Sequence, residues 1–295
     1  MSTAGALLDR VQRQLLSGVV EERNKLATGV DADDTSFVTT YELGGLREGT
    51  VFEVDSELVY IWQANTGSKT LTVERGYAGT TAASHSAGAI IVQNPRFPKA
   101  QLLDALNQDI DDLSSPANGL YQVVTTTAIS YNGSDRQIDM TGVTSLLDLI
   151  DVRVKYKSDD FPYVRNVRLQ RNLPVADFPS TFALVFDEAP VAGTLVVRYT
   201  APFVRASTLA SDVQTVCKVP QTMEDILEMG VMIRMLSVRE IKRNFTEAQG
   251  DTRRAEEVPP GAMRDSFNNI LRLRRDRVIA EKAKLARQYP LTIRA

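Results

Sequence analysis

Few residues in this chain of 295 could do chemistry, and they are unevenly placed. There is one histidine, His85, and one cysteine, Cys217. That excludes any reaction needing two imidazoles, any intrachain disulfide and any zinc site built on cysteines. A Ser–His–Asp arrangement would have to run through His85, and no Gly-x-Ser-x-Gly turn accompanies it. The doublets Asp111-Asp112 and Asp159-Asp160 invite comparison with a glycosidase pair. Adjacent residues of a strand point to opposite faces, so these doublets read as helix-end and turn residues.

Three other stretches carry partial signatures. Asp31, Asp33, Thr35 and Glu42 hold the first, third, fifth and twelfth places of a calcium loop. The sixth place, which needs Gly, is Ser36, so a solvated acidic linker is the simpler reading. Asn65-Thr66-Gly67-Ser68-Lys69-Thr70 hints at a phosphate loop, but Ser68 separates Gly67 from Lys69 and strand-like runs flank it, so a hairpin turn is favoured. Tyr60 and Trp62 share one strand face, which suits either a core or a platform for sugar rings.

Charge is balanced overall but split along the chain. Lys and Arg number 34 and Asp and Glu 37, a net charge of −3 that excludes bulk attraction to DNA or an anionic membrane as the main function. Between Asp31 and Glu57 stand eight acids and one base; between Asp251 and Ala295 stand eleven bases and six acids. Asp265, Asp276 and Glu281 interrupt the basic run, which favours acidic protein partners over a nucleic-acid groove. No apolar run reaches membrane-spanning length and the N-terminus lacks a signal-peptide pattern, so a soluble cytoplasmic or virion protein without metal or cofactor is expected.

The elements that must position these residues follow from hydrophobic period. Leu7, Leu8, Val11, Leu15 and Leu16 predict a helix over 3–27. Short alternating runs from Val30 to Asn94 predict a small β module, and Pro98 opens a second helix with Leu102, Leu103, Leu106, Ile110 and Leu113 on its stripe. Six strand-like runs between Leu120 and Pro202 predict an antiparallel sandwich. An apolar helix over 223–248, a break at Gly250 and Pro259-Pro260, and a last helix over 263–288 follow. Phe267, Ile270, Leu271, Leu273 and Val278 are assigned to the inner side of that last helix. The expected fold is α+β: a four-helix body (1–29, 96–118, 204–288) carrying a β module (30–95) and a β-sandwich-like insert (119–203), with a tail at 289–295.

Val73-Glu74-Arg75-Gly76-Tyr77-Ala78-Gly79-Thr80-Thr81-Ala82-Ala83-Ser84-His85-Ser86-Ala87-Gly88-Ala89 resembles a hairpin signature of tailed-phage virion proteins. Its glycines permit turns at positive φ and His85 can hydrogen-bond across the turn, a structural role for Arg75, Gly76, Gly79, His85 and Gly88. With Leu7-Leu8-Asp9-Arg10-Val11 before it and Pro98-Lys99-Ala100-Gln101-Leu102-Leu103-Asp104 after it, residues 5–115 resemble head-to-tail connector (adaptor) proteins of long-tailed bacteriophages.

That resemblance implies a non-enzymatic ring, commonly of twelve copies, in the virion neck. It would join the portal protein to downstream neck or tail proteins, with DNA passing along its axis. The basic last helix, through Arg272 and Arg275, and the tail, through Leu291, Ile293 and Arg294, become portal-facing. Met229, Met232, Met235 and Leu236 offer an adaptable subunit interface, and Asp104, Asp109, Asp111 and Asp112 an acidic channel lining. A different neck or tail ring, and a glycan-binding decoration protein using Tyr60 and Trp62, are the alternatives.

Overall fold

The computed structural model describes residues 2–16, 19–155, 157, 161–246 and 262–289. The expected break at Gly250 and Pro259-Pro260, the doublet Asp159-Asp160, and Leu291, Ile293 and Arg294 of the tail lie outside the described residues. The protein mixes helices with antiparallel sheets, and its chain divides into two compact units. One is Met1–Asp109 with Arg205–Arg274, the other Ile110–Val204 with Arg275–Ala295. The second helix and the last each contribute to both units.

Helix α1 (Ala4–Leu16) buries Ala4, Leu7, Leu8 and Val11, and the Thr3 hydroxyl accepts the Ala6 N–H at 3.2 Å as its cap. It stops well short of Ala27. Beyond it Val19-Val20 is β-branched and Glu21-Glu22-Arg23-Asn24-Lys25 offers no apolar stripe, so nothing rewards a continued helix. Arg23–Lys25 is strand β1 instead, and the small β module begins there.

The module's other strands are β2 (Ser36–Val38), β3 (Val51–Val54), β4 (Glu57–Asn65), β5 (Thr70–Glu74) and β6 (Ile90–Gln93). They pair antiparallel in the order β1-β6-β3-β4-β5-β2. Ala27 N–H donates to Val38 O at 2.8 Å and Thr40 N–H to Lys25 O at 2.8 Å, joining the two edges so that the sheet curls round its core. Inward positions alternate as the period of two requires: Phe52 and Val54 on β3, Val59 and Ile61 on β4, Leu71 and Val73 on β5. Asn65–Thr70 is a hairpin turn, with Asn65 Oδ1 accepting the N–H groups of Gly67 (3.0 Å) and Ser68 (3.2 Å).

Helix α2 (Lys99–Leu113) starts on a carboxylate of that module. Glu53, buried on β3, accepts the N–H of Lys99 and so satisfies a free donor of the first turn. Helix α3 (Glu224–Thr246) packs on α1, whose Arg10 reaches Glu224 at 2.7 Å and Glu228 at 2.6 Å. Ile226, Leu227, Val231 and Met235 are buried, while Met229, Met232 and Leu236 are half-buried. Cys217, just upstream, is fully enclosed.

In the second unit, β7 (Gln122–Tyr131), β12 (Gly193–Ala201) and β9 (Asp148–Lys155) form one three-stranded sheet. Strands β10 (Val167–Gln170), β11 (Ala183–Phe186) and β8 (Gln137–Asp139) form another. Val152, Leu195 and Val197 from the first and Val167, Leu184 and Phe186 from the second share one apolar core. The last helix, α4 (Ala262–Gln288), buries Arg274, Val278, Glu281 and Leu285. Leu271 and Leu273, assigned to its inner side by hydropathy, are instead exposed, while the ion pair with Asp109 draws Arg274 inward.

Candidate functional site

The loop after β5 is where charged side chains concentrate. Glu57 opens β4, directly after the Asp55-Ser56 turn, and its side chain is 1% exposed. Arg75 clasps it with two parallel bonds, Nε to Oε1 and Nη2 to Oε2, both 2.8 Å. His85 Nε2 lies 2.9 Å from Glu57 Oε2, and its Nδ1 lies 2.7 Å from Asp55 Oδ2. The N–H groups of Gly76 (2.9 Å) and Ala83 (3.2 Å) complete the shell around Glu57. Arg75 also donates to the carbonyls of Asp31 (2.6 Å), Asp34 (3.0 Å) and Ala83, and stacks over Phe37.

Backbone geometry is set with the charges. Gly76, Gly79 and Gly88 have φ of 63°, 83° and 83°, the left-handed region that their lack of a Cβ permits. A Cβ at Gly76 would stand 2.9 Å from the Thr80 carbonyl oxygen. His85 exchanges two backbone bonds of 2.9 Å with Val30, so the loop's far end is a rung of sheet. Arg75, Gly76 and His85 thus fix the shape of this hairpin, and Gly79 and Gly88 supply its left-handed turns. The histidine side chain is 2% exposed and both ring nitrogens face carboxylates, so neither is open to take a proton from a substrate.

Burial alone would raise Glu57, but bonds from Arg75, His85 and the two amides outweigh it and hold the carboxyl at about 2. Burial would lower His85, yet its bonds to Asp55 and Glu57 lift it to about 9. Burial pushes Glu53 up to about 7 against the bond from Lys99. The signs follow by linkage. Stabilisation tied to a raised pKa is complete below the group's ordinary value and lost as pH rises through the folded one. Glu53 loses its share towards pH 7 and His85 towards pH 9, whereas Glu57 loses its share only as pH falls through about 4 towards 2. Urea midpoints read by Trp62 fluorescence are expected to fall in two steps as pH rises, the first from 4.5 to about 7 and the second from 6.5 to about 9. His85→Gln should remove the upper step and Glu53→Gln the lower. A flat profile from about pH 4.5 to 10 would contradict the assignment.

The remaining candidates fall as follows. The acidic linker does not assemble as a calcium loop: the carbonyls of Asp31 and Asp34 are taken by Arg75, Asp34 accepts the Asp31 N–H at 2.7 Å, and Glu42 pairs with Lys69 at 2.9 Å. Among the described residues no group of three His, Cys, Asp or Glu could hold a metal, and no helix is long and apolar enough to cross a membrane. Tyr60 and Trp62 do share an outer face, where Trp62 is 61% exposed. Tyr77, which the sequence reading missed, stacks on Tyr60 at 5.3 Å, while Trp62 meets Tyr60 edge-on at 5.0 Å. The indole N–H is anchored on Glu74 at 3.2 Å.

Of the four aspartates assigned to a channel, Asp104 and Asp111 are exposed on α2 and Asp112 is half-buried. Asp109 is a correction. It is 1% exposed and pairs with Arg274 at 2.7 Å, with Arg234 Nε at 3.6 Å, so it joins α2, α3 and α4 and lines no open surface. Five residues from Asp104 is about 140° round a helix, which turns it inward. Gly230 of α3 lies against it, and a Cβ there would stand 2.1 Å from the carboxylate. Arg272 and Arg275 are exposed.

No protein-family model matches the chain and no curated protein does. Among solved structures, cAMP-bound PfPKA-R aligns over 84% of this chain and 92% of that one, at 14% identity and a TM-score of 0.17. A TM-score of that size is no sign of a common fold.

Proposed function

We propose that the chain is a non-enzymatic virion subunit, a head-to-tail connector that forms a ring, of about twelve copies by family resemblance, between the portal and the tail of a long-tailed bacteriophage. On this reading α1–α4 form the adaptor-like body, and the β module and the β-sandwich-like domain are insertions in it. Its partners are sister copies, the portal protein, downstream neck or tail proteins and passing DNA bound without sequence preference. It assembles in the host cytoplasm and ends in the virion neck.

One observation carries the reading. Among the residues that resemble the phage signature, Arg75, Gly76 and His85 anchor on Glu57, and Gly79 and Gly88 take the positive φ of the hairpin's turns. A chain that devotes its one histidine to architecture is suited to assembly. The test is co-purification with the cognate portal and negative-stain microscopy. Rings seated on the portal are expected, and a phage lacking the protein should accumulate filled, tailless heads. A chain that stays monomeric and ignores the portal would overturn the proposal. The exposure of Trp62 favours a second reading, a glycan-binding decoration protein, which requires polysaccharide affinity that falls with Trp62→Ala.

A further inference from the structure

We propose that adjacent copies meet through the aromatic face of one β module and an exposed apolar-basic stripe on α4 of the next, an inference that rests on the ring reading. The first surface is Tyr60, Trp62 and Tyr77, with Trp62 61% and Tyr77 38% exposed and Glu74 holding the indole by its N–H. Its module is acidic: Asp31, Asp33, Asp34, Glu42, Glu48 and Glu74 are all exposed.

The second surface is Leu271, Arg275, Ile279 and Lys282. Spacings of four, four and three place them on one side of the helix, over about 17 Å of its length. Leu271 is 45% and Ile279 56% exposed, Arg272 lies beside them, and the exposed acid Asp276 lies off the stripe.

Each surface supplies what the other lacks. Aromatic rings with a carboxylate at their edge accept a guanidinium over the ring face and aliphatic side chains between the rings. A stripe of alternating leucine, arginine, isoleucine and lysine provides both. An acidic surround repels DNA, and a glycan on the rings would leave the helix stripe bare. A second copy covers both surfaces with one contact. The two patches differ, so the contact is heterologous, and repeated round an axis it closes a ring. Opposite charges then fix the register between neighbours.

The geometry points to a complementation experiment. One variant carries Trp62→Ala with Tyr77→Ala, the other Arg275→Glu with Ile279→Asp, and mass is read by light scattering behind size exclusion. Wild type is expected to form the ring and each variant alone a monomer. Mixed in equal amounts, the variants keep one sound pairing and should give a dimer and nothing larger. If either double change unfolds the chain by circular dichroism, the single changes Trp62→Ala and Arg275→Gln serve, each expected to weaken assembly at least tenfold. Variants that assemble like wild type would overturn this interface and leave the ring reading standing. A wild type that never assembles, alone or with portal, would remove both. Loss of polysaccharide binding on Trp62→Ala with rings intact would also overturn it, by giving the rings to a sugar.

Discussion

Glu57→Ala is expected to remove about 3–5 kcal/mol from the stability of the β module, because it strands two buried cations together. Arg75 and His85 would keep their positions in a closed loop with no carboxylate between them, and the amides of Gly76 and Ala83 would lose their acceptor. Domain stabilities are commonly about 5–15 kcal/mol, so this single change approaches the limit of what the module can bear. Trp62 is the protein's one tryptophan and sits in the module, so its fluorescence follows urea unfolding of that unit. Asp55→Ala provides the contrast. Its carboxylate also meets His85 but is 61% exposed, and a loss below about 1 kcal/mol is expected. Equal effects at the two positions would show that the anchor has been misassigned.

Gly230→Ala should reverse the usual sign of a glycine-to-alanine change. Inside a helix, alanine is ordinarily better by about 1 kcal/mol. Here its methyl carbon would stand 2.1–2.2 Å from the atoms of the Asp109 carboxylate, a short side chain with no room to retreat. Displacing Asp109 from Arg274 breaks a buried ion pair, and a loss of about 3–5 kcal/mol is expected, read by thermal unfolding at the helical circular-dichroism band. Asp109→Gly relieves the crowding but abandons Arg274, so the two changes together should cost less than their sum. A neutral or stabilising Gly230→Ala would refute the account.

These two sites also mark where the sequence was legible and where it was not. Short apolar runs located β3, β4, β5 and β6, although only β5 buries strictly every second side chain and β3 buries Phe52, Glu53 and Val54 in a row. The apolar stripe of α2 was read nearly residue by residue: Leu102, Leu106, Ile110 and Leu113 are fully buried, and Leu103 is half-buried. Strand β1 escaped because Arg-Asn-Lys has no apolar residue, and its pairing comes from a neighbouring strand far along the chain. The inner face of α4 escaped for a related reason. Val278 is buried as hydropathy places it, but Arg274 is held in by Asp109 of α2, a partner that a pattern of apolar residues cannot reveal.

His85 shows the same boundary. Its structural role could be argued from the absence of a second imidazole. Its partners could not be, because eight acids stand between Asp31 and Glu57 and only folding selects two of them. Tyr77 was likewise hidden: it belongs to the loop rather than to the strand that carries Tyr60 and Trp62, and stacking on Tyr60 requires the hairpin to fold over.

The enclosed Cys217 has a practical consequence. Burial both shields its sulfur and pushes the thiol up, away from the reactive thiolate. The native protein therefore offers maleimide dyes almost nothing to attack, and a cysteine introduced at the Asn65–Thr70 turn would take up label alone. Fluorophores attached there could report the spacing of copies in an assembled particle without any need to strip the chain of its own sulfhydryl.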